Sequence, residues 1–111
     1  MNSNLTANNV QRLLAEAPSS SRPTGIPPGE LALMQAVLED AIDCYLGRAK
    51  RRRIHPKILQ REAEYWIRIE DWEAPFSFNN VCEALGLDPD WTRHAIERMK
   101  SIRSVAARHA A

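Results

Sequence analysis

Apolar residues in the middle of the chain recur in steps of three and four. Leu31, Met34, Leu38, Ile42 and Tyr45 form one row, and Leu33, Val37, Ala41 and Cys44 form a second beside it. Two adjacent rows at helical period predict a long helix over 30–47 that packs on two neighbours. Gly47 is placed to end it. His55-Pro56 predicts a second helix reaching to about residue 70, since proline suits a first helical turn. Leu59, Ala63, Trp66 and Ile67 share one of its faces, with Ile58 and Tyr65 alongside. Glu64 and Arg68 stand at the spacing of a favourable i,i+4 pair, worth about 0.3 kcal/mol. The segment Asp71 to Phe76 breaks the period and reads as a connection, with Trp72 and Phe76 over the end of the core. No stretch alternates with period two, so no strand is predicted.

The segment after Phe76 predicts two helices joined by a tight turn. Ser77 can cap a helix over 77–86 in which Phe78, Val81 and Leu85 face inward. Gly86 permits the positive φ of the turn, and Leu87 drops back into the core. Asp88 then caps a helix over 88–106, with Pro89 in its first turn. Along it Ala95, Ile96, Met99 and Ile102 supply the inward face, and small Cys82 lies where the two helices approach. This is the spacing of a helix-turn-helix, the unit that lays its second helix in the DNA major groove. One position departs from it: Thr92 stands where a β-branched apolar residue is usual.

The N-terminal quarter reads differently. Residues 1–17 hold one short helical pattern, with Thr6 as a candidate cap and Val10, Leu13, Leu14 and Ala17 on one face. A helix so brief is marginal alone in water. From Pro18 to Gly29, nine of twelve residues are Pro, Gly or Ser, the composition of an extended linker. The expectation is a flexible arm over 1–29 and an all-α domain of four helices over 30–111, ending in the helix-turn-helix at 77–103.

Charge sharpens this picture. The 111 residues carry a net charge of +1, with 15 Lys and Arg against 14 Asp and Glu. The charges come in blocks: 30–47 sums to −4, 48–61 to +7, 62–91 to −7 and 92–111 to +4. Two basic blocks flank an acidic one, so a near-neutral total leaves room for a localised basic face. No apolar run approaches the roughly 20 residues that span a bilayer, and no signal peptide opens the sequence. A cytoplasmic setting without membrane association is expected, with Cys44 and Cys82 as buried free thiols.

Residues 77–103, about a quarter of the chain, also resemble the last DNA-binding region of sigma factors of the sigma-70 type. Ser77-Phe78-Asn79-Asn80-Val81-Cys82 is similar to the opening of that family's first helix, Gly86-Leu87 to its turn, and Thr92-Arg93-His94-Ala95-Ile96-Glu97 to its recognition helix. The other sigma regions are absent, so small phage and bacterial regulators with a sigma-like helix-turn-helix are the nearer comparison. The resemblance implies a recognition helix that reads duplex DNA and basic neighbours that hold phosphates, as in transcription regulation. A homodimer, or another transcription protein as partner, is compatible with it.

Under that reading the residues between the apolar positions of 88–103 face the bases: Asp90, Trp91, Arg93, His94, Glu97 and Arg98. Arg93 or Arg98 would grip guanine O6 and N7 with both arms, worth about 1–3 kcal/mol of discrimination. Lys50, Arg51, Arg52, Arg53, Lys57, Arg61, Lys100 and Arg103 are the candidate phosphate contacts.

The competing reading is a non-enzymatic helical interaction module, an adaptor or inhibitor, using Trp66, Trp72, Trp91 and the acidic surface of 62–90. Enzyme chemistry finds no support: no Gly-rich phosphate loop, no His-Glu-x-x-His, and no serine or cysteine beside a histidine in a turn. His55, His94 and His109 are too scattered to hold a metal, and no cofactor motif is present.

Overall fold

The computed structural model describes residues 8–18, 23–49 and 51–110, with side chains to residue 105. Among them are five α-helices and no strand: α1 (Asn9–Glu16), α2 (Pro28–Tyr45), α3 (Pro56–Arg68), α4 (Phe78–Ala84) and α5 (Pro89–Ala110). The protein is all-α. Helix α2 is central and packs on α1, α3 and α4, while α5 packs chiefly on α4. No helix of the described residues is long and apolar enough to cross a membrane.

The local signals act as the sequence predicts. Ser77 Oγ accepts from the amide of Asn80 at 3.2 Å, and Asp88 Oδ2 from that of Trp91 at 2.8 Å. His55 Nδ1 accepts from the amide of Lys57 at 3.1 Å, capping α3. Helices α2 and α4 end alike. Gly47 (φ +79°) and Gly86 (φ +82°) adopt the left-handed conformation open to glycine. The amide after each glycine donates back five residues, Arg48 to the Asp43 carbonyl and Leu87 to that of Cys82, closing a Schellman turn.

The core joins Met34, Leu38, Ile42 and Tyr45 of α2 to Leu59, Ala63 and Ile67 of α3, with Phe78, Val81 and Cys82 of α4 and Ala95 and Ile96 of α5. Trp66 packs edge-on against Phe78, ring centroids 5.5 Å apart, and donates its indole N–H to the Phe76 carbonyl. Thr92 is fully buried because its hydroxyl donates to the Asp88 carbonyl at 2.7 Å. The buried donor is thereby satisfied, and a threonine fills the apolar position. Ile58, Tyr65 and Trp72 are about half exposed or more, outside the core face expected for them.

The N-terminal arm departs from expectation in its described part. Helix α1 belongs to the core: Val10 and Leu13 are completely buried. Asn8 caps it in a reciprocal box with Gln11, whereas Thr6 lies outside the described residues. The Glu39 carboxylate of α2 then accepts from the amides of Asn9 (3.3 Å) and Val10 (2.9 Å) and from Asn9 Nδ2 (2.7 Å). A carboxylate on the first-turn amides satisfies donors that a helix start leaves open and matches the helix dipole. The fold thus has a fifth helix where a four-helix domain was expected. Of the predicted linker, residues 19–22 lie outside the described residues.

Candidate nucleic-acid interface

The two helices around Gly86 set the positions of the expected base-reading residues, and the structure divides them. Arg93 does not face outward. Its Nε donates to the Ile67 carbonyl at 2.6 Å, and one Nη to the Ile69 carbonyl at 3.2 Å and to Asn79 Oδ1. The other Nη meets Asp90 at 3.1 Å and Glu70 at 3.6 Å, and the guanidinium lies 4.8 Å from the centre of the Phe78 ring. Its side chain is only 12% exposed. Arg93 therefore serves as a clamp: it closes the carbonyl end of α3 and fastens α3, α4 and α5 together. The fork geometry of a guanidinium suits that task, and four of its five N–H groups are spent on hydrogen bonds inside the fold.

Trp91 is half-buried against the core, and Asp90 is exposed with its carboxylate on Arg93. Glu97 is half-buried, 3.9 Å from Arg68. His94 and Arg98 are exposed, and neither makes an ion pair among the described residues. Together with Ser101 and Val105 they lie at intervals of three and four on one exposed face of α5. Ser101 was not anticipated, although its helical phase was open to view.

The surroundings of α5 change sign along its length. Glu70, Asp88 and Asp90 are all exposed at its start. Further along, the Arg103 Nε donates to the Leu46 carbonyl at 2.9 Å, and the Lys100 ammonium sits 4.3 Å above the Tyr45 ring. These contacts bring the second basic block of the sequence against the end of α2, where the first one starts. The carbonyl end of α2 itself favours cations there.

The first basic block does not act as one clamp. Arg51 is held in a two-point contact with the Asp40 carboxylate, at 2.6 and 2.7 Å. Arg48, outside the predicted set, turns the other way, to Asn9 Oδ1 at 3.1 Å and Asp43 at 4.0 Å. Arg52, Arg53, Lys57 and Arg61 are exposed without ion pairs among the described residues, and Lys50 lies outside them. Arg53 holds a positive φ of +65° in the turn between Arg51 and Ile54.

The thiols are inert by placement. Cys44 and Cys82 are buried and unbridged. Burial pushes the Cys82 thiol up to about 12, with the Thr92 hydroxyl and the Arg93 charge acting in the opposite sense. No group of three or more His, Cys, Asp or Glu able to hold a metal occurs among the described residues. No protein-family model, no curated protein and no solved structure matches this chain.

Proposed function

We propose that the chain is a non-enzymatic DNA-binding protein, of the transcription-regulating kind its helix-turn-helix spacing suggests, and that it meets the duplex with the distal half of α5. The observation that carries this reading is the change of character along that helix. Arg93 is spent within the fold, whereas Arg98 is exposed past the acidic start and Lys100 and Arg103 reach the end of α2. His94, Arg98 and Ser101 are then the side chains placed to reach base edges. Lys100, Arg103, Arg52 and Arg53 supply charge to phosphates, which positions a protein on DNA without reading sequence. The first turn of α5 is a poor reader, because Asp90 and its acidic neighbours repel phosphate.

The test is a fluorescence-anisotropy titration against a random duplex pool at two ionic strengths. The expected affinity falls steeply with salt, with a log–log slope of about −0.9 per phosphate neutralised. Replacing Arg98 with Ala should weaken the selected sites by about tenfold, within the 1–3 kcal/mol range of one arginine–base contact. An affinity that ignores salt, or an Arg98→Ala variant that binds like the parent, rejects the proposal.

The exposed apolar side chains favour a second reading, the interaction module. Ile58 and Tyr65 lie open on α3, 48% and 68% exposed, and Trp72 is open beyond its end. Trp66 and Trp91 are packed against the core and so unsuited to anchoring a partner. Binding through Tyr65 and Trp72 would tolerate salt.

A further inference from the structure

One cavity of the molecule is lined by arginines from three separate elements. It measures about 270 Å³ and is walled by Asn9 and Arg12 of α1, Arg48 of the turn after α2, and Met99, Ile102 and Arg103 of α5. From these we infer a binding site for a phosphate monoester of small-molecule size, which stands whether or not α5 binds duplex DNA.

Three observations support this. The first is an excess of positive charge. Arg12 makes no ion pair among the described residues, and Arg103 donates to an uncharged carbonyl. Arg48 has a single distant carboxylate, Asp43 at 4.0 Å. The acids behind the cavity are already engaged: Glu39 accepts three hydrogen bonds from Asn9 and Val10, and Asp43 accepts Asn9 Nδ2 at 2.9 Å. Glu39 and Asp43 keep their negative charge while bonding these neutral amides, so the three guanidiniums are only partly balanced, and a dianion among them relieves the repulsion that remains.

The second observation is preorganisation. Asn9 is 3% exposed, and its Oδ1 accepts from Arg48 Nη1 at 3.1 Å while its amide nitrogen is fixed by two carboxylates. Arg103 is tethered to the Leu46 carbonyl by Nε alone, which leaves its terminal nitrogens available. Two of the three arginines are thus held from behind, reducing the entropy lost when an anion binds. Arginine's planar fork matches phosphate oxygens two at a time.

The third is shape and chemistry. Met99 and Ile102 give the cavity an apolar side, and Ile102 is 68% exposed there with no other partner to explain it. The volume lies just below the roughly 300 Å³ at which pockets for drug-sized ligands begin. A phosphate on the arginines with a ring or short chain against Met99 and Ile102 fits this mixture. The same chemistry occurs in a free mononucleotide and at the 5′-phosphorylated end of a nucleic-acid strand.

The experiment is calorimetric titration of the full chain, in chloride buffer, with adenosine 5′-monophosphate, adenosine, and a short oligonucleotide with and without a 5′-phosphate. The monophosphate should bind and adenosine should not. Arg12→Ala should weaken the monophosphate at least tenfold, whereas Arg68→Ala, on α3 and outside the cavity, should leave it unchanged. Arg12 is exposed, so its loss does not threaten the fold. A 5′-phosphorylated strand that outcompetes the mononucleotide assigns the site to strand ends, and the reverse assigns it to the free ligand. Equal binding of adenosine, equal losses in Arg12→Ala and Arg68→Ala, or no heat with any phosphate would each overturn the inference.

Discussion

The two halves of α5 use the same residue types for opposite ends. In the first half, Arg93 and Asp90 are turned into the fold or onto each other, the buried Thr92 hydroxyl donates to the Asp88 carbonyl, and the exposed neighbours are acidic. In the second half, Arg98, Ser101, Ile102 and Val105 are exposed, and Lys100 and Arg103 brace the helix on the end of α2. An arginine on a presumed recognition helix is thus not by itself a reader. What decides its role is whether nearby carbonyls need a donor, and the end of α3 presents two that do.

The largest effect that tests this contrast is expected at Arg93. Replacing it with Ala strips donors from the Ile67 and Ile69 carbonyls and from Asn79, which is fully buried. Unmet buried polar groups cost about 1–3 kcal/mol each at sites of this kind, so a loss of about 2–4 kcal/mol in urea unfolding is expected. Its exposed acidic partners, Glu70 and Asp90, add little. Arg98→Ala should move the same midpoint by less than about 0.5 kcal/mol, as exposed substitutions do. Equal stability losses at the two arginines would erase the distinction between the halves.

A slightly smaller effect is expected at Leu13, which tests whether the basic end rests on α1. Leu13 is completely buried, and truncation to Ala should cost about 2–3 kcal/mol in the same unfolding experiment. A neutral result would return α1 to the status of a loose arm and leave Arg12 unplaced.

These two residues also mark where the sequence was readable. Caps and turns were legible, because Ser77, Asp88, Gly47 and Gly86 act on backbone within five residues of themselves. The row Met34, Leu38, Ile42 and Tyr45 of α2 and the inward face of α4 followed from periodicity for the same reason, whereas Leu33 of the second row predicted for α2 is 54% exposed. The docking of α1 was not legible: its decisive partner, Glu39, is 30 residues from Asn9, and a short helix has too little apolar surface to announce its burial. The role of Arg93 was hidden likewise, since its carbonyl partners are 24 and 26 residues away. Periodicity also placed Ile102 inward, correctly in phase, but the core ends before the helix does.

The smallest effect concerns pH and sharpens the contrast from the other side. Cys82 lies beneath the first half of α5, and burial pushes its thiol from 9.0 in the free residue up to about 12. Below about pH 9 both folded and unfolded chains carry the neutral thiol, so stability does not respond to it. Between about 9 and about 12 the unfolded chain releases a proton that the folded chain keeps, which favours unfolding as pH rises. From pH 9 to pH 10 this one group should remove about 1 kcal/mol of stability. Tyrosines and lysines titrate in the same interval, so the comparison is the parent against Cys82→Ala, whose urea midpoint should decline less over that step. Cys44 is also raised by burial and by Asp40 and Asp43, with Arg51 opposing. The Cys44→Ala variant therefore serves as the second reference. If Cys82→Ala declines as steeply as the parent, the thiol is not sealed, and the junction under the first half of α5 is as open to water as the second half.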